Sequence, residues 1–271
     1  MSKDGFLLRE FQGVRYYSCK AFEDIPFLCH GFSTRSSGSA DAESSFNLGY
    51  GSRDSVDRVN ENRRRFLSAL KFEGSHFATL RQVHSNRVYI IENNRGEGNQ
   101  AEGDALATRG EKVALAVQVA DCLPILIADP VRHAVAAVHS GWRGTLLRVL
   151  LETILRMEKS FGSIPSDLLV AMGPGIRACC FEVGAEVAEL FEREYPEAHL
   201  AEAVAGRPGK SRLDLAGALE VQLDLAGIRP ENRHDLGACT RCTPDRFFSY
   251  RAEGSQAGRM MALIGMKPID D

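Results

Sequence analysis

The fold is decided by residues 113–145, which read VALAVQVADCLPILIADPVRHAVAAVHSGWRGT. Three short apolar runs, at 113–119, 123–129 and 134–139, predict strands in the core of a sheet. Cys122 lies between two of these strands and His139 closes the third. An amphipathic run after the last glycine predicts a helix that continues to about Phe161. The stretch therefore places a thiol and an imidazole at strand ends.

A third side chain of the same chemical type lies further towards the N-terminus, His84 in RQVHSNRV. Two His and one Cys with one position left open form the ligand set of a catalytic zinc site. These residues are far apart in sequence, so their spacing alone proves nothing. A buried Cys beside Leu123 is also typical of an ordinary core residue. We predict that His84, Cys122 and His139 share one metal site and are catalytic.

The segment after His139 has the composition of an anion-binding loop. Residues 140–145, SGWRGT, precede the predicted helix, and a loop that opens a helix presents free N–H groups. Arg143 adds a planar guanidinium suited to phosphate, although a lone Arg is usually solvated or structural. We predict that Arg143 binds an anion next to the metal.

Outside this stretch, strands and helices alternate along the chain. This order predicts an α/β protein with mixed sheets, and no low-complexity linker divides its 271 residues. Gly173 to Gly175 favours a tight turn over a phosphate loop. The remaining elements predicted from periodicity are strands at 27–32, 88–91, 168–172 and 259–264 and helices at 55–70, 183–195 and 214–225.

Composition excludes several classes of partner. A net charge of −3 and a pI near 6.2 give no general attraction to nucleic acid or membrane. We expect no signal peptide and no membrane span. Seven cysteines, an odd number, fit a reducing cytoplasm better than a disulfide framework. We therefore expect a cytoplasmic protein with a small-molecule substrate.

Cys239-x-x-Cys242 is the one short cysteine motif of the chain. It is typical of half a structural zinc site or of a redox pair, but Cys179 and Cys180 are adjacent and offer no second motif of that form. We therefore interpret Cys242 as incidental and expect Cys239 to line the pocket.

Many ordered strings resemble one known family. They are HGFSTR (30–35), FNLGYG (46–51), NRRRF (62–66), QVHSNRV (82–88), GDALAT (103–108), ADCLPI (120–125), AVHSGWRGT (137–145), MGPGI (172–176), and CT, FFSYR and GRMMALI near the end. On these strings the chain is identified as a member of the YfiH family, also called the laccase-domain or multicopper polyphenol oxidase-like family. The resemblance implies a single domain over residues 1–271, folded as an α/β/β/α layered sandwich. It also implies that His84, Cys122 and His139 are the metal ligands.

Three reaction classes are associated with this family. Members are described as copper-dependent polyphenol oxidases, as purine nucleoside phosphorylases with adenosine deaminase activity, and as factors that edit peptidoglycan precursors. The resemblance further implies that Arg35 and Arg63 join Arg143 in a phosphate pocket. From the sequence alone, however, Arg63 lies in a basic run on a predicted helix and favours a solvated face.

The residues discriminate between these activities. A laccase holds its copper ions almost wholly with imidazole, and seven His without a His-x-His pair are too few. Copper binding at a zinc site is then adventitious. Zinc nucleobase deaminases use a His-x-Glu motif, which is absent from this sequence.

The sequence therefore predicts a zinc-dependent purine nucleoside phosphorylase that acts on adenosine, inosine, guanosine or methylthioadenosine with phosphate. Three alternatives remain open. Cys122 activated by His84 or His139 would give a metal-free cysteine hydrolase or amidase that acts on peptidoglycan precursors. Copper as the alternative metal would give a copper-dependent polyphenol oxidase. A metal-sensing or nucleotide-sensing protein with little turnover is the third.

Overall fold

A computed structural model describes residues 5–37, 45–52, 54–92 and 101–267 of the chain. Two six-stranded mixed sheets form its centre. The first sheet has the strand order β1-β2-β3-β15-β7-β4. Its strands are β1 (Phe6–Phe11), β2 (Val14–Cys19), β3 (Leu28–Ser37), β4 (His76–Ala78), β7 (Val113–Val119) and β15 (Met260–Met266).

The second sheet has the order β14-β10-β8-β9-β6-β5, and a small third sheet has the order β11-β13-β12. The strands of the second sheet are β5 (Val88–Ile91), β6 (Ala105–Thr108), β8 (Leu123–Asp129), β9 (Ala134–Ser140), β10 (Leu169–Met172) and β14 (Arg233–Asp235). Those of the third are β11 (Glu182–Gly184), β12 (Ala201–Ala203) and β13 (Lys210–Leu213).

Three longer helices cover the outer faces of the two large sheets, a fourth (Ala185–Glu194) packs against the small third sheet, and three short ones lie in connections. The longer ones are α2 (Val56–Ala69), α4 (Val149–Phe161), α5 (Ala185–Glu194) and α6 (Leu215–Ala226). The short ones are α1 (Lys20–Glu23), α3 (Trp142–Leu146) and α7 (Tyr250–Glu253).

Alternating side chains along the central strands explain the layers. In β7, Leu115 and Val117 pack into the core between the two large sheets, whereas Ala114 and Ala116 pack towards α2. Strand β8 does the same on the other side: its even-numbered apolar residues face the central core and its odd-numbered ones face α4 and α6. Because successive side chains point to opposite faces, a strand covered on both sides must be apolar throughout. The four-layered α/β/β/α sandwich is therefore confirmed.

The predicted strands at 88–91, 113–119 and 123–129 have the bounds that the structure shows, and most other elements differ by one or two residues at an end. The strand predicted at 27–32 is longer than expected, because it continues to Ser37. The predicted helix after His139 is broken in two, because Arg148 adopts a left-handed conformation (φ 59°) between α3 and α4. The predicted helix at 183–195 begins only at Ala185, because residues 182–184 pair with β13. Within the described ranges, no helix is both long and apolar enough to cross a bilayer.

Candidate active site

The site lies where the chain passes between the two large sheets. Residues 120–122 connect β7 of the first sheet to β8 of the second, and His84 lies in the connection from β4 to β5 that makes the same passage. His139 is the penultimate residue of β9. The β8–β9 register pairs Leu123 with Ser140 and so brings Cys122 beside the end of β9. The sheet topology therefore brings together three residues that are distant in sequence.

The three side chains form one cluster, whose candidate ligand atoms lie within 4.8 Å of one another. His84 Nε2 lies 3.8 Å from Cys122 Sγ, and the two imidazole rings have centroids 5.0 Å apart. In a tetrahedral zinc site a nitrogen and a sulfur ligand are about 3.6 Å apart. The atoms fit a single ion, so the predicted ligand set is brought together.

Gly141 is required by the closeness of this packing. A β-carbon at this position would lie 2.8 Å from Cys122 Sγ and 2.8 Å from His84 Cδ2, closer than atoms pack. The glycine of the string HSGWRG therefore allows β9 to end against the cluster.

Asp104 is the carboxylate that holds the cluster from behind. It is fully buried, and its Oδ1 lies 2.8 Å from His139 Nδ1. The same carboxylate accepts hydrogen bonds from the backbone N–H groups of His84 (2.9 Å) and Ser85 (2.6 Å). With Nδ1–H donating to Asp104, the other ring nitrogen of His139 is left to bind a metal, as in carboxylate–histidine–zinc arrangements.

Two residues at the site have backbone conformations that L-residues seldom adopt. His84 has φ 60° and Asp121, which precedes Cys122, has φ 87°. The His84 loop is held by Asp104, as described above. The side chain of Asp121 accepts hydrogen bonds from Thr240 Oγ1 (2.6 Å) and from the backbone N–H of Arg251 (2.6 Å). Such strain persists only where surrounding bonds fix it, and it is typical of functional sites.

Charges within the cluster change the protonation of its members. Burial by itself would raise the pKa of Cys122, but the adjacent His139 and His84 rings lower it to about 6. Burial would lower the pKa of His139, but the Cys122 sulfur and the hydrogen bond to Asp104 raise it to about 9. The pKa of Asp104 falls to about 2, because its hydrogen bonds from His139 and Ser85 outweigh its burial. The arrangement favours a thiolate, the form of cysteine that acts as a metal ligand or a nucleophile.

A cavity of about 560 Å³ opens in front of the three residues. This volume is within the range of small-molecule pockets. Its walls combine apolar and aromatic side chains, including Leu80, Ile176, Phe181, Tyr50 and Tyr250, with the amides of Gln82 and Gln118.

The three arginines predicted to bind phosphate do not line this cavity. Arg35 forms an ion pair with Glu253 (3.0 Å), and Arg143 is exposed with its guanidinium 4.3 Å from the Trp142 ring centroid. Arg63 is half-buried, and its guanidinium stacks on the ring of Tyr50 at 4.1 Å. Because Tyr50 lines the cavity, Arg63 is in direct contact with a residue of the cavity wall. Their phosphate role stays a prediction.

Three other arginines line the cavity, namely Arg81, Arg251 and Arg259. Arg81 is paired with Glu102, whereas Arg251 and Arg259 form no ion pair with a carboxylate in the described part of the chain. Their guanidinium groups instead donate to backbone carbonyls. Sequence reasoning missed them, although Arg251 and Arg259 belong to the quoted strings FFSYR and GRMMALI.

The expectation that the Cys239-x-x-Cys242 motif has no second half is wrong. Cys179 and Cys180 lie in the turn before β11 and meet Cys239 and Cys242, so that all four sulfur atoms lie within 4.8 Å of one another. The second half of the group is an adjacent pair, which the search for a second Cys-x-x-Cys motif could not detect. The parallel bridge between Gly175 and Cys239 brings the two segments together.

The fold and the cluster define a class: a layered α/β protein with a three-ligand His-Cys-His group at the base of a cavity. The sequence profile described as "Multi-copper polyphenol oxidoreductase laccase" matches residues 29–267. The chain belongs to this family, and the predicted resemblance is confirmed.

Several relatives are similar over most of the chain. A purine nucleoside phosphorylase of Deinococcus radiodurans is 40% identical over 88% of each protein. The human purine nucleoside phosphorylase LACC1 is 35% identical over 88% of this chain, which spans about half (55%) of the length of that relative. A protein named adenosine deaminase RL5, from an unknown prokaryotic organism, is 33% identical over 79% of this chain and 84% of its own. The crystal structure of YlmD from Geobacillus stearothermophilus superposes with a TM-score of 0.86 at 30% identity, covering 97% of this chain and 99% of that one.

Proposed function

We propose that the protein is a zinc-dependent purine nucleoside phosphorylase. The observation that carries the proposal is the presence, in one cavity, of a three-ligand His-Cys-His group and of two arginines without a carboxylate partner among the described residues. The relatives named purine nucleoside phosphorylase support the same reaction class. The substrates would be a purine nucleoside, such as adenosine, inosine, guanosine or methylthioadenosine, and inorganic phosphate.

The donor set favours zinc over a copper cluster. Imidazole nitrogen and thiolate sulfur together suit a borderline-soft ion, and three protein ligands leave one position for a reactant. His84 and His139 are the histidines of this group, and none of the other five, all in described parts of the chain, belongs to it. A trinuclear copper centre would need many more imidazoles. When bound, zinc would supply Lewis-acid polarisation of an oxygen atom.

Arg251 and Arg259 are proposed to bind the phosphate dianion. Cations without a carboxylate partner favour an anion in the cavity, and a guanidinium can donate two parallel hydrogen bonds to it. Each also lies near an aromatic ring, Arg251 at 5.3 Å from Phe181 and Arg259 at 5.9 Å from Tyr250. The proposal keeps as further phosphate-binding residues the three that the family resemblance implies, Arg35, Arg63 and Arg143. Arg63 would act through its contact with Tyr50.

The apolar and aromatic walls are proposed to hold the purine and to exclude water. In phosphorolysis a phosphate oxygen forms a bond to C1′ while the bond from C1′ to the purine nitrogen breaks. The base leaves with the bonding electrons and takes up a proton. Because the sugar becomes oxocarbenium-like on the way, an anion fixed below it stabilises the transition state. The residues of this chain position the two reactants, and Asp104 keeps His139 in one tautomer.

Phosphate-dependent release of base tests this proposal. Purified protein is incubated with adenosine or inosine, with and without inorganic phosphate, and adenine, hypoxanthine and ribose 1-phosphate are quantified. We expect base and sugar phosphate in equal amounts, and only with phosphate. Base released at the same rate without phosphate would indicate hydrolysis and contradict the proposal.

A cysteine hydrolase is the second candidate, because the pKa of Cys122 is lowered to about 6 and its sulfur lies 3.8 Å from His84 Nε2. A thiolate beside imidazole attacks carbonyl carbons well. Amide hydrolysis of peptidoglycan precursors by metal-free protein, blocked by thiol alkylation, would support this candidate. Adenosine deamination is the side activity included in the first proposal, and it is measured in the same assay as inosine formed from adenosine.

A further inference from the structure

Four sulfur atoms gather at one end of the cavity wall, outside the candidate active site. Cys242 Sγ lies 3.4 Å from Cys180 Sγ and 3.6 Å from Cys179 Sγ. All four sulfurs, including that of Cys239, lie within 4.8 Å of one another. Cys239 is buried, whereas Cys179 and Cys242 are exposed.

These separations match the edges of a metal tetrahedron. With zinc–sulfur bonds of about 2.3 Å, two sulfurs of a tetrahedral site are about 3.8 Å apart. A disulfide would require one pair to close to about 2.05 Å and would leave two thiols unused. A four-iron cluster takes one thiolate on each iron, which would spread the sulfurs around the cluster and not around one point.

The backbone near Cys239 also suits a bound thiolate. The backbone N–H groups of Arg177, Arg241 and Cys242 lie near its sulfur. Hydrogen bonds from backbone amides stabilise a negatively charged sulfur, and such outer contacts tune a metal site. The turn at 178–180 directs both adjacent cysteines towards this point.

We propose that Cys179, Cys180, Cys239 and Cys242 form a closed structural zinc site. Binding would replace four S–H protons, released to solvent, with four zinc–sulfur bonds, and no oxidant or reductant is needed. Four protein ligands leave no position for a reactant, so the site would stabilise the structure and take no part in chemistry.

The proposed site would fasten together two segments that form one wall of the cavity. Cys180 directly precedes Phe181, which lines the cavity, and Thr240 lies between the other two cysteines. Thr240 donates its hydroxyl hydrogen bond to Asp121, the residue that precedes Cys122. The zinc would therefore hold Phe181 and the Asp121 turn at a fixed separation.

Metal content per chain tests this inference without measuring activity. Protein is produced with zinc in the medium, purified anaerobically with a reductant, and its metal is measured by elemental analysis. The expected result is two zinc ions per chain for wild type and one for Cys122→Ser, Cys179→Ser and Cys242→Ser. Cys29→Ser is the matched control, since Cys29 is half-buried and belongs to neither cluster, and it should keep both ions.

Cobalt substitution separates this site from the candidate active site. In Cys122→Ser, added Co²⁺ should give the strong sulfur-to-metal absorption of a tetrathiolate complex, and Cys242→Ser should lose it. Wild type and Cys122→Ser carry the test if a variant of the four-cysteine group fails to fold. The inference is overturned if Cys122→Ser gives no four-sulfur signal, if Cys179→Ser and Cys242→Ser hold as much zinc as wild type, if a disulfide forms within the group under these conditions, or if iron takes the place of zinc. Because the readout is the four-sulfur signal, its failure leaves the phosphorylase proposal standing.

Discussion

The two sulfur-containing clusters differ in ways that separate reactive from structural metal binding. The His84, Cys122 and His139 group has three ligands, opens into a cavity and has a buried carboxylate, Asp104, behind it. The four-cysteine group has one more ligand, and backbone N–H groups take the place of the carboxylate. A free coordination position permits chemistry, whereas a filled one permits only stability. The two proposals therefore rest on the different number of candidate ligands in each group and on the different groups that surround them.

The largest effect is expected from Cys122→Ser. A neutral hydroxyl is a poor substitute for a thiolate, so this variant should lose the active-site metal. Its rate of phosphorolysis should fall at least roughly 100-fold, which is more than the loss of a residue that only hydrogen-bonds to a ligand would cause. Elemental analysis and base release from inosine check this, with Cys29→Ser as the control. Full metal occupancy combined with lost activity would move Cys122 to the nucleophile role.

Asp104→Asn should have the next largest effect. Oδ1 of Asp104 accepts from His139 Nδ1 and the His84 backbone, and Oδ2 accepts from the Ser85 backbone and hydroxyl. An amide has one acceptor oxygen and cannot serve both sets of donors, so the metal affinity of the open site should fall about 10–100-fold. Competition with a chelator measures this affinity. Asp129→Asn is the control, because Asp129 is also buried and accepts two backbone N–H groups far from the site. If the metal affinity falls equally in Asp104→Asn and Asp129→Asn, then Asp104 has only a structural role.

Arg251→Gln should raise the KM for phosphate by roughly tenfold, the cost of one charge-assisted hydrogen bond, with little change in the KM for the nucleoside. Arg143→Gln serves as the comparison, because Arg143 lies outside the cavity lining and carries the prediction made from sequence. If the KM for phosphate rises more in Arg143→Gln than in Arg251→Gln, then Arg143 binds the anion, as predicted from the sequence, and Arg251 does not.

His30 is a second buried imidazole, and it lies outside both proposed metal sites. The smallest expected effect is its contribution to stability, which shows how burial alone changes the pKa of an imidazole. Burial lowers the pKa of His30 to about 4 despite Glu23 nearby, whereas the thiol and carboxylate beside His139 raise its pKa. His30 is neutral when folded and accepts a hydrogen bond from the Cys19 backbone N–H. Its contribution to stability is therefore present above pH 6.5 and is lost as the pH falls towards 4.

Between pH 8 and pH 6 this contribution should fall by about 0.8 kcal/mol. Urea unfolding of wild type and His30→Gln at both pH values measures the difference, since Gln cannot take up a proton. An identical pH dependence in the two proteins would show that His30 is already solvated in the folded state.

Sequence alone predicted the central strands and the three-residue cluster, for identifiable reasons. Strands such as β8 are covered on both faces, so their continuous apolar runs are distinctive. The strings around His84, Cys122 and His139 resemble a known family. The spatial meeting of these residues depends on strand register, which no local pattern encodes.

The remaining features depend on contacts between segments that are distant in sequence. The four-cysteine group unites an adjacent pair with a motif about 60 residues later, and a bridge between Gly175 and Cys239 sets their approach. The cavity arginines gave no local signal, since a lone Arg is usually solvated or structural. The helical pattern is uninterrupted across Arg148, and the left-handed backbone at this residue, which breaks the helix, left no signal in it.

The most direct test of the central claim is anomalous X-ray scattering at the zinc absorption edge from a crystal of zinc-supplied protein. The account predicts a strong peak bounded by His84 Nε2, Cys122 Sγ and His139 Nε2, on the side that faces the cavity. Absence of that peak in crystals of protein that releases purine base with phosphate would contradict it.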